Sequence, residues 1–438
     1  YAFIVHYDKI YIKYNTILGG INMRKIRQLN ETHIDAYSDI AFNAYPSFKD
    51  LSSEAVKKYK DTVAHIIETD PNVTFYGMFE GEKLIAVMRL FDFTMNYFGK
   101  MIPASGIGFL GVHLMHKKEK CAKAMVEFYE KLYRSRGIPI GLLLPFRPDF
   151  YNKMGYGIGT KMNQYRLPAN RIPAYFGHSD IRYVEIDDIK KILDCHSRVA
   201  EKTHGMIIKI NDEIRDLVND PYNKIIGHYD GKGNITGYIV FKFQNAKEDN
   251  YTINNIYIKE LIYENTDVLK KLLGFLRKQE DQVNLVIFNT EDEHFHYLFD
   301  NPLNDSLNYI PYGNLESNTQ AVGVMYKIFD IKKAFEQCSH RNYNKSNINI
   351  RLLVYDEIEK EEDEIIVNFE EGVSIINRNK YDVTLKIKLA DLSSLFLGSV
   401  SVMGLYRLGI IELDNLDLLE EVDRTFYCPQ KPVCYTDF

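Results

Sequence analysis

Two short stretches hold residue types and spacings that could do chemistry. The first is Phe109-Leu110-Gly111-Val112-His113-Leu114-Met115-His116-Lys117-Lys118-Glu119-Lys120-Cys121-Ala122, which reads as a strand end, a basic loop and a helix start. The first N–H groups of a helix have no intrahelical acceptor, and the helix dipole is positive there. Such a turn holds a pyrophosphate, and Lys117, Lys118, Lys120 and Lys123 add charge. Taken alone this is a weak signal, because a lysine-rich helix start is usually just a solvated surface. The second stretch is Leu144-Pro145-Phe146-Arg147-Pro148-Asp149-Phe150-Tyr151-Asn152-Lys153-Met154-Gly155-Tyr156-Gly157. Phe150 reads as a core aromatic, and Tyr151 and Tyr156 could be the same. Tyr151 has a second possibility. A phenol with a pKa of about 10 stays protonated at neutral pH and can hand a proton to a leaving thiolate. Cys121 is disfavoured as an acyl-carrying nucleophile, because no His or Asp stands at a spacing that would activate it.

The elements that must position these stretches follow from periodicity. Arg24 to Gln28 reads as a strand, Asn30 to Ala44 as a helix, and Leu51 to Glu68 as a helix opened by Ser52 and Ser53. Thr74 to Phe79 and Leu84 to Phe93 form a hairpin around Glu80 and Gly81. Gly106 to Leu114 is a strand, and Lys118 to Arg136 a helix with Ala122, Met125, Val126, Tyr129, Leu132 and Tyr133 on one face. Ile138 to Leu144 is almost wholly apolar and so is expected in a buried, central position.

From about Arg171 to Ser317 part of this order returns. Ile226 to Tyr229 and Ile235 to Phe243 form a hairpin, then come a strand over Tyr251 to Ile258, a helix over Asp267 to Glu280 and a buried strand over Val283 to Phe288. The repetition is one of fold rather than of close sequence. The second copy has neither the basic loop nor the aromatic pair. The remainder is a third, α+β unit, with a strand expected over Ala321 to Ile328, a helix over Ile331 to Cys338, several further strands and short helices, and a non-helical tail from Pro429 to Phe438.

Length and composition set the frame. At 438 residues the chain is too long for one ordinary core. With 45% hydrophobic and 26% charged residues it reads as soluble and globular. A net charge of −6 argues against nucleic acid as a partner. Five scattered cysteines without a CxxC argue against a disulfide framework or a metal site, and fit a reducing, cytoplasmic setting. No segment reads as a membrane span. Met23 resembles a natural start, so residues 1–22 are expected to be an extension without a role in chemistry.

Together the two stretches resemble the acetyl-CoA core of the GNAT superfamily, in the order strand, pyrophosphate loop, helix, strand, then Phe-Tyr-x-x-x-Gly-Tyr. With the duplication, and with Asp391 to Gly398, Leu405 to Gly409 and the terminal Thr436-Asp437-Phe438, residues 23–438 resemble the enhanced intracellular survival (Eis) family. The resemblance implies tandem GNAT folds, α/β with mixed central sheets and flanking helices, followed by a sterol-carrier-protein-like α+β domain. It implies a catalytic GNAT domain at 23–170, a degenerate one at 171–317 and the sterol-carrier-like domain at 318–438.

The implied activity is N-acetyl transfer from acetyl-CoA, without a metal, to an amine-bearing small molecule such as an aminoglycoside-like polycation, or to a protein lysine. A homo-oligomer, by resemblance a hexamer, is implied as well. Tyr151 falls at the family's general acid, and the α-carboxylate of Phe438 at its base. Leu110, Gly111 and Val112 fall on the strand that pairs with the pantetheine arm, and Lys117, Lys118, Lys120, Cys121 and Ala122 on the pyrophosphate loop. A carboxylate with a pKa of about 3.3–3.7 is a weak base unless burial or a water relay assists it. It also attracts cations, and Asp437 beside it adds to that as a substrate-binding group. One departure stands out. The superfamily has a central glycine where this chain has Lys120, so a Cβ works against close approach of phosphate while the charge works for it. The competing reading is a non-catalytic protein whose last domain carries an apolar ligand.

Overall fold

The computed structural model describes residues 13–14, 24–45, 50–175, 180–376 and 379–438. The first third runs β1 (Lys13–Tyr14), β2 (Arg24–Gln28), α1 (Ile34–Ala44), α2 (Ser53–Thr69), β3 (Val73–Glu80), β4 (Lys83–Tyr97), β5 (Lys100–Val112), α3 (Cys121–Ser135), β6 (Ile140–Leu143), α4 (Pro148–Lys153), β7 (Gly157–Ile158) and β8 (Met162–Leu167). Local chemistry sets several of these bounds. The Ser52 hydroxyl accepts the Ala55 N–H at 3.3 Å and starts α2. Gly81, with φ +61°, turns β3 into β4. All four residues of β6 are buried, in keeping with its central place.

The middle third contains β9 (Ile181–Tyr183), α5 (Ile189–Ala200), α6 (Asn211–Asn219), β10 (Lys224–Tyr229), β11 (Ile235–Asn245), β12 (Asn254–Tyr263), α7 (Thr266–Arg277) and β13 (Val283–Thr290). The short pair β14 (Tyr309–Ile310) and β15 (Asn314–Leu315) and the edge strand β16 (Thr319–Ala321) follow. The last third contains β17 (Met325–Ile328), α8 (Ile331–Gln337), β18 (Ile348–Asp356), β19 (Glu361–Glu370), β20 (Val373–Ile376), β21 (Val383–Lys388), α9 (Leu389–Phe396), α10 (Val402–Arg407), β22 (Glu412–Leu413) and α11 (Leu419–Phe426).

Three large sheets organise these elements. Their orders are β1-β2-β3-β4-β5-β6-β17-β7, β16-β8-β13-β12-β11-β10-β9 and β20-β19-β18-β21-β22. Both of the first two are mixed, with a parallel pair, β5–β6 and β12–β13, at equivalent places. The repeated order seen in sequence is therefore a repeated fold.

Several expectations are corrected. The strand expected over Ala321 to Ile328 is two strands in different sheets. β16 pairs with β8, and β17 crosses into the first sheet between β6 and β7. Gly323 permits the crossing, since a Cβ there would lie 1.9 Å from the Thr160 carbonyl oxygen. Strand β5 begins at Lys100, six residues before the expected start. Helix α3 begins at Cys121 rather than Lys118, for a reason given below. Helix α6 had no counterpart in the sequence reading. Of the N-terminal extension only β1 is described, and it pairs with β2; the rest of residues 1–22 lies outside the described residues.

Candidate active site

The site is built around the end of β5. Along β4, Val87 pairs with Gly111 and Arg89 with Gly108, so Phe109 and Leu110 together face the single residue Met88. This is a β-bulge. Phe109 takes φ +51°, rare for a bulky side chain. Its ring is held from several sides. The Arg89 guanidinium lies 4.7 Å above it, and the Tyr37 and Tyr45 rings stand 6.1 and 4.6 Å away. On the other side, parallel pairing of β5 with β6 is confined to Ser105–Gly141 and Gly106–Leu142. Beyond that point β5 runs on to Val112 while β6 departs, which opens a V between them. Leu110, Gly111 and Val112 lie on the free arm of the V. The Leu110 carbonyl accepts a hydrogen bond from the Tyr45 hydroxyl at 3.1 Å.

The arm leads into the basic loop. Lys118 and Lys120 have φ of +68° and +63°, and Lys120 is the left-handed residue immediately before α3. These two positive angles explain why the helix starts at Cys121. The chain thus keeps the backbone form natural to the motif glycine while carrying a lysine, at a cost on the order of 1–3 kcal/mol. The loop is pinned by Arg24, which bonds Glu80 at 3.0 Å, the Glu119 carboxylate and the Glu119 carbonyl. His116 Nδ1 lies 3.1 Å from the same Glu119 carboxylate. The side chains of Lys117, Lys118 and Lys120 are exposed and Ala122 is half-buried. Cys121 is buried, burial pushes its thiol up, and the S–H faces the His116 carbonyl at 3.8 Å. That is a packed, inert thiol. Leu114 and Met115 after one arm of the V, and Leu144 and Phe146 after the other, are exposed apolar side chains.

Tyr151 sits on the one-turn-and-a-half helix α4, which Pro148 opens. It is half-buried, with Phe150 and Tyr156 edge-on at 5.1 and 5.9 Å. Burial raises its pKa to about 12, so the phenol is a proton donor at any physiological pH. The Tyr45 hydroxyl is raised too, by burial first and then by Tyr151, so the two phenols share one space.

The C-terminal tail reaches the same place. The Thr160 hydroxyl donates to the Pro432 carbonyl at 2.6 Å, and the Val433 N–H donates to the His204 carbonyl at 2.8 Å. The Cys434 N–H donates to the buried Glu291 carboxyl at 2.5 Å. The Phe438 ring then rests edge-on against Phe93 and Phe91, with centroids 5.0 and 5.6 Å away. Gly106 and Gly108 make room for it. A Cβ on Gly106 would meet the Phe438 ring at 3.0 Å, and one on Gly108 would meet the Phe438 carbonyl carbon at 2.8 Å. The terminal carboxylate therefore lies against β5 at the bulge. Asp437 is exposed. Asp216 of α6 is pushed above the ordinary carboxylate range by desolvation, then by Asp212 and, less, by Asp437. Asp212 is itself paired with Arg215 at 2.7 Å, so of these three acidic groups Asp216 and Asp437 are the exposed ones.

The structure sets Leu110 to Val112 on the free end of β5, the lysines on the loop after it, Tyr151 on α4, and Phe438 against Gly106 and Gly108 of β5. It adds residues the sequence reading missed: Phe91, Phe93, Gly106 and Gly108 as the seat of Phe438, Tyr45 beside Tyr151, and Asp212 and Asp216. One signal was available. Glycines at alternate positions of a strand mark a face that something approaches closely. Among the described residues no group of three or more His, Cys, Asp or Glu side chains is placed to hold a metal.

Comparison with known proteins agrees with this geometry. Residues 25–159 match an acetyltransferase (GNAT) domain family, residues 206–316 a second family of the same description, and residues 331–435 a sterol carrier protein domain. An uncharacterized N-acetyltransferase of Streptomyces avermitilis is 22% identical over 205 residues, which are 45% of this chain and 48% of that protein. Another, from Bacillus pumilus, is 28% identical over 116 residues, 26% of this chain and 70% of that one. The chain thus spans about half the length of the Streptomyces relative.

Among solved structures, a GCN5-related N-acetyltransferase from Anabaena variabilis superposes with a TM-score of 0.78. A probable N-acyltransferase from Enterococcus faecalis gives 0.76. Each is 16% identical and covers 95% of this chain and 100% of its own. The domain matches give the chain two regions similar to GNAT acetyltransferase domains followed by a sterol-carrier-protein-like domain. Eis1 from Mycobacterium abscessus has this whole fold, with a TM-score of 0.72 at 16% identity over 95% of this chain and 100% of that one.

Proposed function

We propose that the protein transfers an acetyl group from acetyl-CoA to an amine, with Tyr151 as general acid and the Phe438 α-carboxylate as base. The observation that carries this reading is the convergence of the Phe438 carboxylate and the free arm of β5 at a single bulge. The V, the left-handed Lys118 and Lys120 with the open N-terminus of α3, and the exposed apolar side chains on both rims fit acetyl-CoA, which supplies the activated acetyl thioester. Leu110 to Val112 would pair with its pantetheine arm and the loop Lys117 to Ala122 would take its pyrophosphate. The Phe438 carboxylate accepts a proton from the incoming ammonium, directly or through a water, and leaves the amine nucleophilic. A backbone N–H on Leu110–Val112 faces the developing oxyanion. As the carbon–sulfur bond breaks, Tyr151 gives its proton to the sulfur, and the second proton, shed by the nitrogen as it becomes the amide, returns the phenolate to the phenol.

The exposed Asp216 and Asp437 support a cationic acceptor, whether an aminoglycoside-like polycation or a protein lysine. The apolar-carrier alternative fares less well. The interior of the last domain is filled by its own rings, with Phe335 and Phe396 at 5.1 Å and Tyr343 and Phe369 at 4.8 Å. Self-association is part of the proposal, supported by the exposed Leu307, Tyr309, Tyr312 and Leu315. So is a cytoplasmic setting, supported by five free cysteines. No helix among the described residues is long and apolar enough to cross a membrane.

The test is thiol release from acetyl-CoA with a panel of polyamines, aminoglycosides and lysine peptides. The full chain should turn over at least one class. Removal of Phe438, or extension past it, should abolish turnover with acetyl-CoA affinity kept. Equal turnover by all three forms would remove the base from the mechanism.

A further inference from the structure

We propose that the opening between β12 and β13 in the second GNAT domain is a socket for the C-terminal tail, and that Tyr435, seated in it, positions the Phe438 carboxylate. This rests on the reading of Phe438 as the base. The second sheet repeats the V of the first. Pairing of β12 with β13 stops at Tyr257–Ile287, while β12 runs on to Tyr263, and Lys259 forms a bulge between the Phe241–Ile258 and Val240–Glu260 pairs.

The second opening is filled from within. The Asn289 amide, itself held by Gln164 at 2.9 Å, donates across the gap to the Ile258 carbonyl at 3.4 Å. The Tyr435 side chain joins the residues of both arms, its hydroxyl 3.3 Å from Thr290 Oγ1; a cavity of about 40 Å³ lies between Ile258–Leu261 and Phe288–Thr290, and a larger one of about 410 Å³ also borders Tyr435, toward Tyr263 and Asp292.

The consequence is geometric. The Pro432 carbonyl accepts from the Thr160 hydroxyl, the Val433 N–H donates to the His204 carbonyl and the Cys434 N–H to the Glu291 carboxyl, and the Tyr435 ring follows in the socket. From Tyr435 to Phe438 is three residues, about 10 Å of extended chain. Asp437 between them is exposed. With Thr436 buried between them, Tyr435 and the Phe438 seat are the two ring contacts that fix this short segment. Tyr435 does not touch the reacting atoms; it acts through Phe438.

The chain contains no Trp, so Phe438→Trp places one emitter at the terminus. In that background Tyr435→Ala should shift emission to the red and raise iodide quenching, while Tyr435→Phe, which keeps the ring, should leave both unchanged. With Phe438 native, Tyr435→Ala should lower kcat about 10²-fold, the scale of a 1 Å misplacement. Acetyl-CoA affinity should hold, and Tyr435→Phe should rescue turnover. In the protein lacking Phe438, Tyr435→Ala should cause no further loss, because the two act as a unit. If Tyr435→Ala does not fold, Tyr435→Leu carries the same arms. Unchanged emission and turnover in Tyr435→Ala, or a loss that simply adds to that of the Phe438 deletion, overturns the socket. A full chain that acetylates no amine, or is indifferent to Phe438, sinks the base instead, and the emission arms still decide whether Tyr435 seats the tail.

Discussion

Gly108→Ala is the sharpest small perturbation the site allows. The added methyl would sit 2.8 Å from the Phe438 carbonyl carbon, 3.0 Å from its oxygen and 3.1 Å from Phe91 Cε2. Ordinary contact is 3.4–4 Å, so the nearer partner must recede by about 0.6–1.2 Å. The Gly108 strand is paired on one side with β4, and Phe91 packs against Phe93 at 5.7 Å. The free chain end is the softest of the three and is the part expected to move. Proton transfer needs a reach of about 2.6–3.2 Å or one bridging water. A displacement near 1 Å of a positioned group costs about 10²-fold in rate. Thiol-release kinetics at saturating acetyl-CoA should therefore show kcat down about 10²-fold, with the melting temperature little changed, because a terminal residue can yield without opening the core. Calorimetry should find acetyl-CoA affinity largely kept, and removing Phe438 from Gly108→Ala should abolish the remaining turnover. A kcat within twofold of the parent, or a loss located wholly in acetyl-CoA binding, refutes the placement of the carboxylate over β5.

Three further outcomes follow from the same geometry. Tyr151→Phe keeps the ring among Phe150 and Tyr156 but loses the proton, so turnover should fall about 10²–10⁴-fold with acetyl-CoA affinity little changed; unchanged turnover would leave Tyr151 a packing residue. Calorimetric titration should give one acetyl-CoA per chain, since the second V is closed by Asn289 and Tyr435; two equivalent sites would contradict this. Glu291→Gln should gain stability over the parent as pH rises. The Glu291 carboxyl is pushed up to about 8 by burial, against about 4.3 in the unfolded chain. Folding therefore holds its proton, and stability is lost from the unfolded value upward until pH passes about 8. Gln has no proton to lose and keeps an acceptor for the Cys434 N–H. Thermal melts at pH 5 and pH 9 should show the gain only at the higher pH, and an equal gain at both would exclude a buried titrating carboxyl.

How much of this was legible in the residues depends on how local each cause is. The basic loop and α3 were visible because a strand, a charged turn and a 3.6-residue apolar period are contiguous. The start of α3 was misplaced because positive φ at Lys118 and Lys120 comes from the fold and is unnatural to lysine. The role of Tyr151 followed from phenol chemistry and from resemblance. The seat of Phe438 did not, because Phe91 and Phe93 look like any strand aromatics until the far end of the chain is laid on them. The same holds for Asp212 and Asp216. Their helix α6 carries Ile214, Leu217 and Val218 at helical spacing, so the element itself was open to a sequence reading, but the nearness of Asp216 to the distant Asp437 was not. The split of Ala321 to Ile328 between two sheets is the extreme case, since pairing across such a distance leaves no trace in a window of residues.

That crossing strand has a consequence for biosynthesis. Met325–Ile328 covers β6 along its whole length, and the Lys327–Glu130 ion pair beside it, at 2.7 Å, joins residues 197 positions apart. On a ribosome adding about 5–20 residues per second, those partners emerge roughly 10–40 s apart. During that interval β6, four buried apolar residues long, presents an open edge able to recruit another strand. Nascent chains halted before residue 325 should be sticky, and yield in a cell should respond to chaperone supply and to translation speed across the middle third.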